Sequence, residues 1–159
     1  MNLKQILLLF LALLLPACVF IFLKGFGENE FSVPALFKDE LPMVLPECNV
    51  QPTLPYHIPD STLSDLDLKA DSLALVFFGG GSEQGLARVK EEYSNLPLKM
   101  FMLDKDKHAK EMKCIYFLQE PFNVVLVDRS GSLRGQYNSN DRDEVDRLLM
   151  ELAIIFRKY

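Results

Sequence analysis

Ser72-Leu-Ala-Leu-Val-Phe-Phe-Gly-Gly-Gly81 is an apolar run that ends in three glycines, and it predicts the central element of the fold. A short run that lacks polar alternation and ends at turn residues is typical of a central strand buried on both faces. Leu86, Val89 and Tyr93 then recur at helical spacing, and Leu98–Leu103 is a second apolar run. A strand, a helix and a second strand in this order predict a parallel, right-handed βαβ unit.

A hairpin and a final helix follow this unit. Phe122–Val127 predicts a third strand, Asp128–Gly131 a turn, and Ser132–Tyr137 the antiparallel partner strand. A short charged helix is expected over 104–113, and an amphipathic helix over 145–156. We therefore expect an α/β fold with a mixed four-stranded sheet flanked by helices on both faces. That arrangement is the core of the thioredoxin fold.

Length and charge limit the class of protein. The chain has 159 residues, which fits one domain of ordinary size. It carries 17 basic and 22 acidic side chains, for a net charge of −5. A general nucleic-acid-binding protein needs a basic face, so we expect no nucleic-acid partner.

The amino-terminal segment predicts a membrane anchor. Residues Ile6–Leu23 contain no charged side chain, and a membrane-spanning helix needs about 20 apolar residues. Lys4 and Lys24 flank the run and can reach the two interfaces. We interpret residues 1–24 as a single-pass signal anchor in the cytoplasmic (inner) membrane. The positive-inside rule favours an amino terminus in the cytoplasm and a body facing the periplasm or the outside.

Two other interpretations of this segment stay open. A cleaved signal peptide has an apolar region of about 7–15 residues, which is shorter than the run observed here. A lipoprotein signal would use Cys18, because Leu-Pro-Ala-Cys18 resembles a lipidation site.

Residues 25–55 form the predicted stalk that leads to the domain. This segment has no helical period and is rich in proline, so we expect an extended chain that packs along the domain. The folded domain is predicted to span residues 56–159. The prolines of the stalk are Pro34, Pro42, Pro46, Pro52 and Pro55.

Four stretches resemble one family. Tyr56-His-Ile-Pro-Asp60, Leu75–Phe78, Val125–Asp128 and Leu133-Arg-Gly-Gln-Tyr137 are similar to the Sco/SenC group of membrane-anchored thioredoxin-like proteins. The resemblance covers about residues 56–159. It implies a thioredoxin-like fold and the setting of that group, whose members help deliver copper to cytochrome c oxidase.

The functional motif of that group is missing. Its members carry Cys-x-x-x-Cys after the strand that ends in Phe-Phe, and a histidine before the hairpin. Here Gly81 and Gly85 occupy the two thiol positions, and Leu118–Phe122 contains no histidine. Copper(I) selects thiolates and disulfide exchange needs a thiolate, so we expect no catalytic residue, metal site or cofactor. The degenerate active-site loop comprises Gly79, Gly80, Gly81, Ser82 and Gly85.

Cys48 and Cys114 are the two cysteines beyond the anchor. A structural disulfide between them would fasten the stalk to the domain by closing a loop of about 65 residues. Two free thiols and a redox or metal-binding pair are the alternatives. The lysines of 105–113 alternate with acidic residues and are interpreted as a solvated helix face.

Two functions follow from these observations. The first is a membrane-tethered, non-catalytic Sco-like module that acts by protein contact, with assembly components of a respiratory oxidase or another envelope redox protein as partners. The second is an active thiol-redox or copper-handling protein that uses Cys48 and Cys114.

Overall fold

The computed structural model describes residues 2–26, 32–41, 44–48, 51–68, 72–79 and 83–157. The chain divides into two compact units, residues 1–32 and 33–159. The first unit contains helix α1, Leu3–Phe26, with Pro16 inside it. Among the residues that the structure describes, no helix combines the length and apolar character required of a membrane span. The predicted transmembrane helix is therefore not supported by the structure.

The second unit is built on a four-stranded sheet with strand order β2-β1-β3-β4. Strands β1 and β2 are parallel, whereas β1–β3 and β3–β4 are antiparallel. The predicted mixed sheet and α/β class are thus confirmed. The elements are α2 (Asp60–Leu66), β1 (Leu73–Phe78), α3 (Glu83–Tyr93), β2 (Leu98–Leu103), α4 (Ala109–Cys114), β3 (Val124–Val127), β4 (Leu133–Tyr137) and α5 (Arg142–Arg157).

Helices cover both faces of the sheet, as predicted. All six residues of β1 are buried. One set of alternate residues, Leu73, Leu75 and Phe77, packs in a core with buried side chains of α3 and α5. The other set, which includes Val76 and Phe78, packs with buried side chains of α2 and α4. The continuous apolar run in β1 is explained by this burial on both sides.

Two helices differ from the expectations. Helix α2 was not predicted, because it is only 7 residues long and buries just Leu66 among its side chains. Helix α4 begins at Ala109 and not at Asp104. The Asp104 carboxylate accepts hydrogen bonds from the N–H groups of Asp106 (3.0 Å) and Lys107 (3.1 Å). These bonds hold a turn ahead of the helix, which is a common role of aspartate.

The described part of the segment 33–55 packs on the sheet. The Leu36 N–H donates to the Leu133 carbonyl at 2.7 Å, and Arg134 Nη1 donates to the Val33 carbonyl at 2.8 Å. Both contacts involve β4, an edge strand of the sheet. Val33 joins the α3/α5 core, while Leu36, Phe37, Leu41 and Val44 pack against the other core.

A buried carboxylate organises the predicted β3–β4 turn. Asp128 Oδ1 accepts hydrogen bonds from the Ser130 N–H (2.8 Å) and the Ser132 N–H (3.0 Å). Asp128 Oδ2 accepts from Arg134 Nε at 2.7 Å. A carboxylate can be buried at this position because the Arg134 guanidinium and two backbone N–H groups donate hydrogen bonds to its oxygens.

We predict that Asp128→Asn lowers the free energy of unfolding by about 2–4 kcal/mol. The substitution removes the ion pair with Arg134, and it can place the amide NH₂ group, a donor, against the guanidinium, which is also a donor. Urea unfolding of the purified chain measures this loss. Asp39→Asn, at an exposed carboxylate, serves as the control and should change the value by less than about 0.5 kcal/mol. An equal loss of unfolding free energy in the two variants would contradict the role of Asp128 in stabilising the β3–β4 turn.

Candidate functional site

The carboxyl ends of the parallel strands β1 and β2 form the edge at which the degenerate loop begins. Open α/β sheets bind ligands at this edge. The Gly79 N–H donates to the Leu103 carbonyl at 2.8 Å and ties the two strand ends together. Gly79 has a φ of +68°, and a Cβ there would lie 2.7 Å from Lys105 Cβ. Glycine is therefore required at this position by the backbone and by its neighbour.

The other described member of the loop is also a packing glycine. Gly85 lies in the first turn of α3, where a Cβ would come within 3.0 Å of both the Ser139 carbonyl oxygen and Val145 Cγ2. Because glycine is small, α3 can approach both Ser139, which precedes α5, and Val145, which lies in α5. The remaining loop residues, Gly80, Gly81 and Ser82, lie outside the described residues.

The structure joins Cys48 to Cys114 by a disulfide, with a Cα–Cα distance of 5.4 Å. Cys114 is the last residue of α4, and the Cys48 N–H closes a turn by donating to the Leu45 carbonyl at 2.9 Å. The exposed fraction is only 6% for Cys48 and 3% for Cys114. Disulfide exchange requires access for an attacking thiolate, so this burial protects the bond.

A groove of about 580 Å³, here called the α4 cleft, lies beside this disulfide. The turn at Leu45, the helix α4 and the segment 117–120 form its sides. Lys105, which contacts Gly79, also lines it, so the cleft adjoins the edge where the degenerate loop begins. The lining residues are Leu45, Lys105, Asp106, Ala109, Met112, Lys113, Phe117, Leu118, Gln119 and Glu120.

Two of the residues that line the cleft form an ion pair. Lys105 Nζ donates to Glu120 Oε1. This hydrogen bond, together with the charge of Lys105, lowers the pKa of the Glu120 carboxyl. Glu120 is therefore ionised at neutral pH, and Lys105 already has a partner.

One wall of the cleft contains Phe117, whose backbone has an unusual conformation. Phe117 has a φ of 50°, which costs a non-glycine residue about 1–3 kcal/mol. Gln136 Nε2 fixes this backbone by donating to the carbonyls of Tyr116 (2.8 Å) and Phe117 (3.2 Å). The Phe117 ring packs edge-on against Tyr56 and Phe37, at centroid distances of 4.8 and 5.5 Å. These contacts make the wall rigid.

Tyr56 supports the same wall through its hydroxyl. The Tyr56 hydroxyl donates to the Ile115 carbonyl at 2.7 Å, directly beyond the end of α4. Burial raises the pKa of Tyr56 to about 12, so the hydroxyl remains a donor at all physiological pH values. Within the described ranges, no group of three or more His, Cys, Asp or Glu side chains is placed to hold a metal ion.

The cleft was not predicted from the sequence. Lys105, Lys113 and their neighbours were interpreted only as a solvated helix face, and Leu45 as part of an extended stalk. The cysteines carried the one available signal, because a bond between Cys48 and Cys114 brings the turn at Leu45 against α4. Comparison with protein-family models and with curated proteins finds no match to this chain, so the Sco/SenC resemblance stays a prediction.

We predict that replacing both cysteines, Cys48→Ser with Cys114→Ser, lowers the free energy of unfolding by about 4 kcal/mol, because the open chain regains loop entropy. Urea unfolding under non-reducing conditions measures the change. Cys18→Ser is the matched control, since Cys18 forms no disulfide. An unchanged unfolding midpoint in the double variant would contradict a stabilising role for the bond.

Proposed function

We propose that this protein is a non-catalytic, thioredoxin-like module that acts by contact with another protein. One observation carries the proposal: glycine stands at positions 81 and 85, where the Sco/SenC resemblance implies the two cysteines. Gly79 packs against Lys105, and Gly85 packs against Ser139 and Val145. The two body cysteines are joined in a buried bond beside α4.

The energetics of thiol chemistry favour this proposal. Copper(I) binding and disulfide exchange both require a thiolate that a metal or a second thiol can reach. Cys48 and Cys114 are nearly excluded from water, and their bond closes a long loop whose opening would restore much chain entropy. A bond with these properties is suited to holding the fold together.

We propose further that the module is tethered to the cytoplasmic membrane with its body on the periplasmic or outer side. The uncharged run Ile6–Leu23 supports the tether. The Sco/SenC resemblance supports a duty in assembling a respiratory oxidase or another envelope redox protein. Both parts rest on the sequence.

The alternative is an active thiol-redox or copper-handling protein that uses Cys48 and Cys114. The observation in its favour is that the two thiols are close enough to form a bond. In such a cycle the disulfide would accept two electrons and two protons from a dithiol of a partner protein, which would become a disulfide. The reduced pair would then be free to bind copper(I).

We expect the reduced full chain to show no stoichiometric copper(I) binding against a competing chelator, because the thiols are buried. The Cys48–Cys114 bond should also resist a dithiol reductant until the fold is opened by urea. Cys18→Ser removes the remaining thiol and isolates the pair. Tight equimolar copper binding that Cys114→Ser abolishes would overturn the non-catalytic proposal in favour of the alternative.

The tether is tested separately, by expressing the full chain in a bacterium and extracting the membranes with carbonate. We expect an intact chain in the membrane pellet, and its release when residues 6–23 are deleted. A carboxyl-terminal alkaline phosphatase fusion should be active if the body faces the periplasm. A chain that begins at Cys18 would identify a lipoprotein, and a soluble intact chain would contradict the tether.

A further inference from the structure

We infer that the α4 cleft binds a short peptide segment of a partner protein, one with large apolar side chains next to aspartate or glutamate. The inference deepens the proposed function and rests on it, because it assigns the contact surface of a module that acts by binding.

Five of the ten residues that line the cleft are apolar, namely Leu45, Ala109, Met112, Phe117 and Leu118. Binding sites bury most of a ligand against apolar walls and use a few polar groups to orient it. A volume of about 580 Å³ has room for apolar side chains of a peptide.

The charges differ between the turn before α4 and the last turn of α4. Asp106 lies in the turn before α4, whereas Lys113 lies in the last turn of α4, and both line the cleft. Lys110 is outside the lining but lies one turn before Lys113 on the same side of the helix. Among the described residues, neither lysine forms an ion pair. Lys105, in contrast, is paired with Glu120. The lysine end therefore presents positive charge in a chain whose net charge is −5.

This distribution favours a peptide as the occupant. A peptide presents different groups along its length, so its acidic side chains can meet Lys110 and Lys113 while its backbone N–H groups meet Asp106. An anionic lipid has a single charged end and offers no donor of this kind along its chain. Opposite charges at the rim add orientation and a faster association rate to the apolar contacts.

The cleft is already formed without a ligand. Leu45 on one side is tied by its turn to Cys48, and Cys48 is bonded to Cys114 at the end of α4 on the other side. The disulfide therefore joins the two walls and sets the distance between them. Phe117 is fixed by Gln136 and by two aromatic rings. A preformed site loses less conformational entropy when a ligand binds.

The test is fluorescence anisotropy with the full chain in detergent and a fluorescein-labelled peptide in which a Leu-Phe pair adjoins an Asp-Glu pair. We expect saturable binding that weakens as salt is added. Lys110→Glu combined with Lys113→Glu should weaken binding about tenfold, because two attractive contacts become repulsive. Lys90→Glu, at an exposed lysine on α3, is the matched control and should leave the affinity unchanged.

Two further comparisons test the apolar part of the site. Ala109→Trp should fill the cleft and abolish binding, with an unchanged circular dichroism spectrum as the control for folding. The chain contains no other tryptophan, so the fluorescence of this residue also reports its environment. A peptide with Ser-Ser in place of Leu-Phe, and one with Lys-Lys in place of Asp-Glu, should each bind more weakly than the parent peptide.

Four outcomes would overturn the inference. They are equal binding of all three peptides, no binding of any, binding that survives Ala109→Trp, and displacement of the peptide by phosphatidylglycerol vesicles. None of these outcomes depends on whether the chain binds copper(I) or exchanges its disulfide rapidly, which separate experiments measure. Failure of the cleft assignment is therefore distinguishable from failure of the non-catalytic proposal.

Discussion

Because both faces of β1 (Leu73–Phe78) are apolar, the fold must cover both of them from water. Helices α3 and α5 provide one layer, and α2 and α4 the other. Pairing of β1 with β2 and β3 satisfies the backbone of the buried strand. The position of α4, and therefore of its cleft, follows from the need to cover the second face.

Packing explains the two described glycines of the degenerate loop, Gly79 after β1 and Gly85 in α3. Gly79 has a positive φ and meets Lys105, and Gly85 lets α3 approach Ser139 and Val145. Any side chain larger than hydrogen would disturb these contacts. Of the two positions where the resemblance implies cysteine, position 85 is therefore one at which the packing favours glycine.

The disulfide joins the segment 33–55 to the domain and also shapes the cleft. It spans 66 residues of sequence, so it constrains the unfolded chain strongly. It also holds the turn at Leu45 near α4, and Leu45, Met112 and Lys113 all line the cleft. One covalent bond therefore contributes both to stability and to the width of the proposed binding surface.

The sequence was sufficient to predict the four strands, the helices α3 and α5, the burial of β1 and the lack of thiols at positions 81 and 85. These features depend on local periodicity and on residue identity, which a sequence displays directly. The sequence did not reveal α2, which is short and buries a single side chain. It left three alternatives for Cys48 and Cys114, and the fold selects the disulfide among them. The positive φ of Phe117 and the cleft that Leu45 forms with α4 were visible only in the folded structure. Contacts between residues so distant in the chain depend on how the layers pack, and no local pattern records that packing.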